Sequence, residues 1–200
     1  MIINFEKFQE IEKDTMKILD RKKIVDTLSL AGLYLAVFET LKHSIEYSIK
    51  SFFSSPQETL SQEYENYKKE IEEFYPKNKD GKIINDKLFA CMKWSKKMQI
   101  ISSQDMSTII KIRKHRNDVA HQLPKILLND QIDINIDLMV KALELINKIE
   151  KWWAVNVDLH IVGDNYTENE DEIYPPNVLI INHTVKSLIN FLFPSSENES

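Results

Sequence analysis

Arg113, Arg116, Asn117 and His121 lie within nine residues of the stretch KIRKHRNDVAHQLP, Lys111 to Pro124. Histidine titrates near neutrality and can move a proton as base or acid, and arginine can stabilise negative charge developing on a phosphate. Lysine is overwhelmingly the cation of this chain, yet two of its three arginines fall here. That choice points to a planar two-pronged donor rather than to charge alone.

The spacing predicts a helix in which Ile109, Ile112, Val119, Ala120 and Leu123 form one apolar stripe. Arg116 falls inside that stripe, four residues after Ile112 and three before Val119. A guanidinium left dry and unpaired there would cost several kcal/mol, by the order-of-magnitude penalty for burying a charge. It must meet a carboxylate, reach a partner chain or line a wet cleft; Glu39 is the carboxylate that a purely structural ion pair would use. Arg113, Asn117 and His121 make a second stripe at i, i+4 and i+8. Pro124 is expected to close this helix, which would put His121 in the last turn, where the helix dipole favours its protonated form.

Arg116-Asn117-Asp118-Val119-Ala120-His121 resembles the R-x4-6-H motif of HEPN domains, with a polar residue after the arginine and a small apolar residue before the histidine. The resemblance covers roughly residues 20 to 155, including a long earlier helix and a long helix after the motif. It implies a bundle of four to five helices that dimerises with both motifs facing one cleft, acting as a metal-independent endoribonuclease. By that resemblance Arg116 and His121 are the catalytic pair, with Asn117 as polar helper. Arg113, Lys114 and His115 would be substrate contacts, and Glu39 a supporting residue. RNA would be the substrate, a second copy of the chain the partner, and no cofactor or metal is implied. The family further implies a toxin or antiphage-defence effector, with an antitoxin protein as a possible cognate partner. One subgroup carries a tyrosine two residues beyond the histidine as a target of nucleotide transfer; Leu123 stands there, so that control is not implied.

Two rival readings follow from the same residues. A non-catalytic module of this type would bind RNA or a protein. A structural helical protein would use Arg116 only to fix a dimer interface.

The elements that must position these groups are helical over the first 154 residues. Phe5, Phe8, Ile11, Ile18 and Leu19 follow helical spacing. Asp26 is a plausible N-cap for a long amphipathic helix running from Leu30 through Tyr34, Phe38, Leu41, Ile45 and Ile49 to Phe52. Ser55-Pro56-Gln57-Glu58 reads as a capping box opening the next helix, whose Leu60, Tyr64, Tyr67, Ile71 and Phe74 form a packing stripe. Lys79 to Lys82 is a turn, and Leu88, Phe89, Met92 and Met98 suggest another helix. Ser102 to Asp105 is a second capping box, leading into the motif helix. A last helix spans about Asn135 to Trp153, with Ile136, Met139, Val140, Leu143, Ile146 and Ile149 inward. Val155, Val157, Leu159 and Ile161 alternate with polar residues, a strand pattern. An acidic loop and a short helix complete residues 155–200. The fold class is therefore mainly all-α: a helical domain over 1–154 with a small C-terminal extension packed on it.

Whole-chain properties narrow the function. Two hundred residues, 42% of them hydrophobic, suffice for one substantial core. The net charge of -5 argues against a generally basic nucleic-acid-coating protein and leaves room for a local basic patch. Only Gly32, Gly81 and Gly163 occur, none close together, which excludes a P-loop, a dinucleotide-binding glycine fingerprint and a nucleophile elbow. His160 and His183 lack the ligand spacing of a zinc site. Cys91 is single and cannot form an internal disulfide, which fits a reducing compartment. The N-terminus has no basic start or apolar h-region, and the longest apolar run, Leu28 to Phe38, is shorter than a span of about 20 residues. The expectation is a soluble cytoplasmic protein with no membrane segment.

Overall fold

The computed structural model describes residues 21–53, 59–128 and 134–158, together with positions 179, 183, 185–187 and 190. The chain there is a helical bundle: α1 (Arg21–Phe52), α2 (Leu60–Glu72), α3 (Lys87–Lys97), α4 (Ser103–Leu128) and α5 (Ile136–Trp153), followed by a π-helical turn over Ala154–Asp158. No strand occurs among the described residues. The all-α expectation holds. The expected helix before residue 20, the Ser55 box, the acidic loop and Leu159–Ile161 lie outside the described residues.

α1 is the central element, with α2, α3, α4 and α5 all packing on it. Its residues Tyr34, Leu41, Ile45 and Ile49 are fully buried, each worth roughly 1.5–3 kcal/mol of burial. α4 meets them with Ile109, Ile112 and Val119, and α5 with Met139, Ile146 and Ile149. The Tyr34 hydroxyl, buried against α4, donates to the carbonyl of Ile112 at 3.4 Å. A buried phenol left without an acceptor would be costly, so this bond also fixes how α1 lies on α4. Val140, expected inward, is exposed, because the α5 apolar stripe is narrower than its sequence suggests. Averaged over 18 residues, the hydropathy within Ile24–Phe52 reaches 1.5, so α1 is long and apolar enough to cross a membrane by length and composition. The count of uninterrupted apolar residues missed this, since Glu39 and Lys42 break the run without lowering its average much.

The caps follow side-chain chemistry, though not always where the sequence suggests. Asp26 lies inside α1, five residues past Arg21, and is not its N-cap. α2 has a capping box in which the Thr59 hydroxyl accepts from Gln62 N and the Gln62 side chain accepts from Thr59 N. The box opening α4 is as expected: Ser102 N donates to Asp105 at 2.7 Å, and Asp105 N donates to the Ser102 hydroxyl at 3.1 Å. The expected turn is an Asn78-centred loop in which Asn78 Oδ1 accepts from the backbone of Asp80 and Lys82. Gly81 there has φ 77°, a conformation glycine adopts without a Cβ penalty.

Two further expectations fail. Pro124 does not end α4, which continues to Leu128 with Ile126 buried. Proline removes one i→i−4 bond, to the Ala120 carbonyl, but core packing of the following turn outweighs that loss. Residues 155–158 are not a strand either. α5 runs directly into the π turn, where Val157 packs against the core and the Asn156 amide donates to the Trp152 carbonyl at 2.9 Å. Alternation over residues 155–158 is too short a signal to outweigh a helix already in register. Farther on, Val185 is buried in the same core.

Candidate functional site

The outer face of α1 turns Glu39, Lys42, His43, Glu46, Tyr47 and Lys50 away from the buried stripe of Phe38, Leu41, Ile45 and Ile49. α3 and α4 rise beside this face and form a groove. Its two adjoining cavities, of about 400 and 370 Å³, share Glu39, Lys42, Glu46 and Lys87 in their walls. The larger adds His43, Tyr47 and Lys50; the smaller adds Asp86, Arg113, Arg116 and Asn117.

Both groove arginines are tied across helices. Arg116 Nη2 donates to Glu39 Oε1 at 2.9 Å, the carboxylate anticipated for a structural pair. The pair is half exposed, with the two side chains 31% and 49% accessible. The guanidinium also lies 5.5 Å from the centre of the Phe38 ring, and its Nη1 reaches Asn117 Oδ1 at 3.5 Å. Its Nε is buried with no acceptor. Glu39 therefore engages one prong of the arginine and leaves its fork unclosed, so part of the donor capacity stays unused. Arg113 Nη1 donates to Asp86 Oδ2 at 2.7 Å, while Asp86 Oδ1 accepts from Phe89 N and caps α3. Arg113 thereby links α4 to the start of α3.

The other candidates separate. His115 is half-buried on the side of α4 that faces α5, not the groove. Its Nε2 accepts from Asn135 N, the N-cap of α5, at 2.9 Å, and its ring stands edge-on to Tyr34 with centroids 4.9 Å apart. An accepting Nε2 places the ring proton of the neutral form on Nδ1. Burial lowers the His115 pKa, against the opposing pull of the Asp118 carboxylate. His115 thus joins helices and does not line the groove. Lys114 is exposed outside the groove lining. His121 is exposed one turn beyond Asn117, on the Arg113–Asn117 face but not in the groove wall. With α4 continuing to Leu128, His121 stands seven residues before the helix end, so the expected last-turn dipole effect has no geometric basis.

Sequence reasoning missed several groove residues. Asp86 was legible as an N-cap before an apolar helix, although its pairing with Arg113 was not. Glu39 and His43 stand at i and i+4 on α1, a spacing at which side chains can pair. Instead Glu39 holds Arg116 and approaches Lys42 at 3.7 Å, while His43 stacks on Tyr47, 4.7 Å between centroids with planes 14° apart. Among the described residues no three of His, Cys, Asp and Glu gather as a metal-binding group. Cys91 is buried, its Sγ 3.4 Å from the Tyr67 hydroxyl; burial pushes the thiol up to about 11, which makes it a poor nucleophile. Comparison with family models, curated proteins and solved structures finds no match for this chain.

Proposed function

We propose that this protein is a metal-independent endoribonuclease of the HEPN type, active in the cytoplasm as a homodimer and serving as a toxin or antiphage-defence effector. The observation that carries the reading is the half-exposed guanidinium of Arg116 at the wall of a charged groove, five residues before exposed His121 on the same helix. In the proposed reaction the RNA 2′-oxygen attacks the adjacent phosphorus as its proton passes to His121. The bond from phosphorus to the 5′-oxygen then breaks, and the leaving oxygen takes a proton from His121 of a second copy. The products are a 2′,3′-cyclic phosphate and a 5′-hydroxyl. Arg116 stabilises the extra charge on the phosphoryl oxygens, and Asn117 holds the guanidinium at Nη1.

The test is cleavage of RNA in EDTA by the wild type and by His121→Ala. Cleavage that survives chelation, leaves cyclic phosphate ends and falls at least about 10²-fold in the variant supports the reading. Activity lost on chelation and restored by a divalent ion, or unchanged in His121→Ala, overturns it. The Arg116–Glu39 bond favours a second reading, a non-catalytic helical module in which this pair only fixes α4 against α1.

A further inference from the structure

The groove is electrostatically unlike the rest of the chain. Its walls carry five cations, Lys42, Lys50, Lys87, Arg113 and Arg116, against three carboxylates, Glu39, Glu46 and Asp86, in a protein of net charge -5. Each carboxylate already meets at least one of these cations: Glu39 with Arg116 and, at 3.7 Å, Lys42, Glu46 with Lys87 at 3.4 Å and Asp86 with Arg113. Counted over its wall residues, the groove therefore carries more formal positive than negative charge, the reverse of the chain as a whole.

The two cavities divide the chemistry. One is walled by the arginines and Asn117. The other is walled by the stacked His43–Tyr47 pair, whose Tyr47 remains 56% exposed although it is a large aromatic. A surface tyrosine pre-ordered by stacking and flanked by lysines offers a flat π-face at little entropic cost. A phosphate-binding wall adjoining a base-sized aromatic wall matches the repeat of a single nucleic-acid strand, in which each phosphate is followed by an unpaired base.

We infer that this groove is a single-strand RNA track, with Tyr47 as a base-stacking platform and Lys42 and Lys87 as phosphate contacts leading the strand toward Arg113 and Arg116. This rests on the ribonuclease reading above and extends it: the substrate is single-stranded, and it is gripped by α1 and the start of α3 as well as by the motif helix. Duplex RNA presents no free base face and cannot use the platform.

The test uses fluorescence anisotropy with a labelled single strand of about 12 nucleotides, within the range such grooves cover. It is made of 2′-O-methyl RNA, which lacks the attacking hydroxyl and stays intact. Tyr47→Ala should weaken binding by about tenfold or more, Tyr47→Phe should bind like the wild type, and the same sequence as a duplex should bind more weakly. Lys42→Gln should lower the slope of affinity against salt by about one phosphate contact. Wild-type affinity in Tyr47→Ala, or equal affinity for duplex and single strand, overturns the track. Cleavage of ordinary RNA on the same samples separates the two claims. If the wild type cuts RNA while Tyr47→Ala binds it undiminished, the track falls and the nuclease stands. If Tyr47→Ala loses affinity and nothing is cut, the track stands and the nuclease falls. Absence of any binding by the wild type overturns the track, and with no cleavage of ordinary RNA either, both claims fall.

Discussion

Replacing Arg116 with alanine separates chemistry from scaffolding. Were the Arg116–Glu39 pair fully buried, stranding the carboxylate would cost about 3–5 kcal/mol. The structure sets a smaller figure. With the two side chains 31% and 49% accessible, the ion pair contributes about 0–1 kcal/mol. The contact with the Phe38 ring at 5.5 Å adds roughly 0.5–1 kcal/mol. Against these losses, the variant removes a buried Nε that has no acceptor, a group whose burial costs about 1–3 kcal/mol. The terms nearly cancel, so stability should change by no more than about 1 kcal/mol, or roughly 2–4 °C in Tm for a chain this size. Cleavage should respond far more. Losing charge-assisted hydrogen bonds of about 1.5–3 kcal/mol to the transition state slows it roughly tenfold to a hundredfold. Arg116→Lys, which keeps the charge and loses the fork, should fall between. Thermal melts and cleavage rates on the same preparations provide the assay. A Tm drop of roughly 10 °C or more, with RNA cleavage unaltered, would refute the reasoning and leave Arg116 as a structural brace.

Light scattering at micromolar concentration should show a dimer, and cross-links from cysteines introduced beside His121 should join two copies; a monomer would remove the second histidine from the mechanism. His115 should make stability sensitive to mild acid. Burial lowers its folded pKa below the unfolded value near 6.5, so its contribution is complete above that value. As pH falls through the window between the two pKa values the unfolded chain takes up the proton first and stability declines; in melts from pH 7.5 downward, His115→Gln should flatten this decline. Pro124→Ala should restore the bond to the Ala120 carbonyl and raise stability by up to ~3 kcal/mol, a higher Tm in the same melts.

Much of this molecule is decided locally. Apolar residues at helical spacing mark the buried faces of α1, α4 and α5, because a helix must turn its apolar stripe toward other stripes. The Ser102–Asp105 box and the Asn135 cap are legible because capping depends on residues three apart. The Arg116-to-His121 motif and its possible carboxylate Glu39 are likewise visible in the chain. What remained hidden depends on distant residues. Pro124 looks like a helix end until the burial of Ile126 is known, and Val155 to Asp158 looks like a strand until α5 carries its register into it. The roles of His115 and Arg113, two polar side chains of the same stretch, were interchangeable on paper. Only packing turned His115 toward the α5 cap and Arg113 toward Asp86, 27 residues earlier in the chain. The groove itself, joining Lys42 and Tyr47 of α1 to Arg116 of α4, exists only in the tertiary structure. Sequence spacing places side chains on a face of their own helix, but which faces meet is settled by the core they jointly bury.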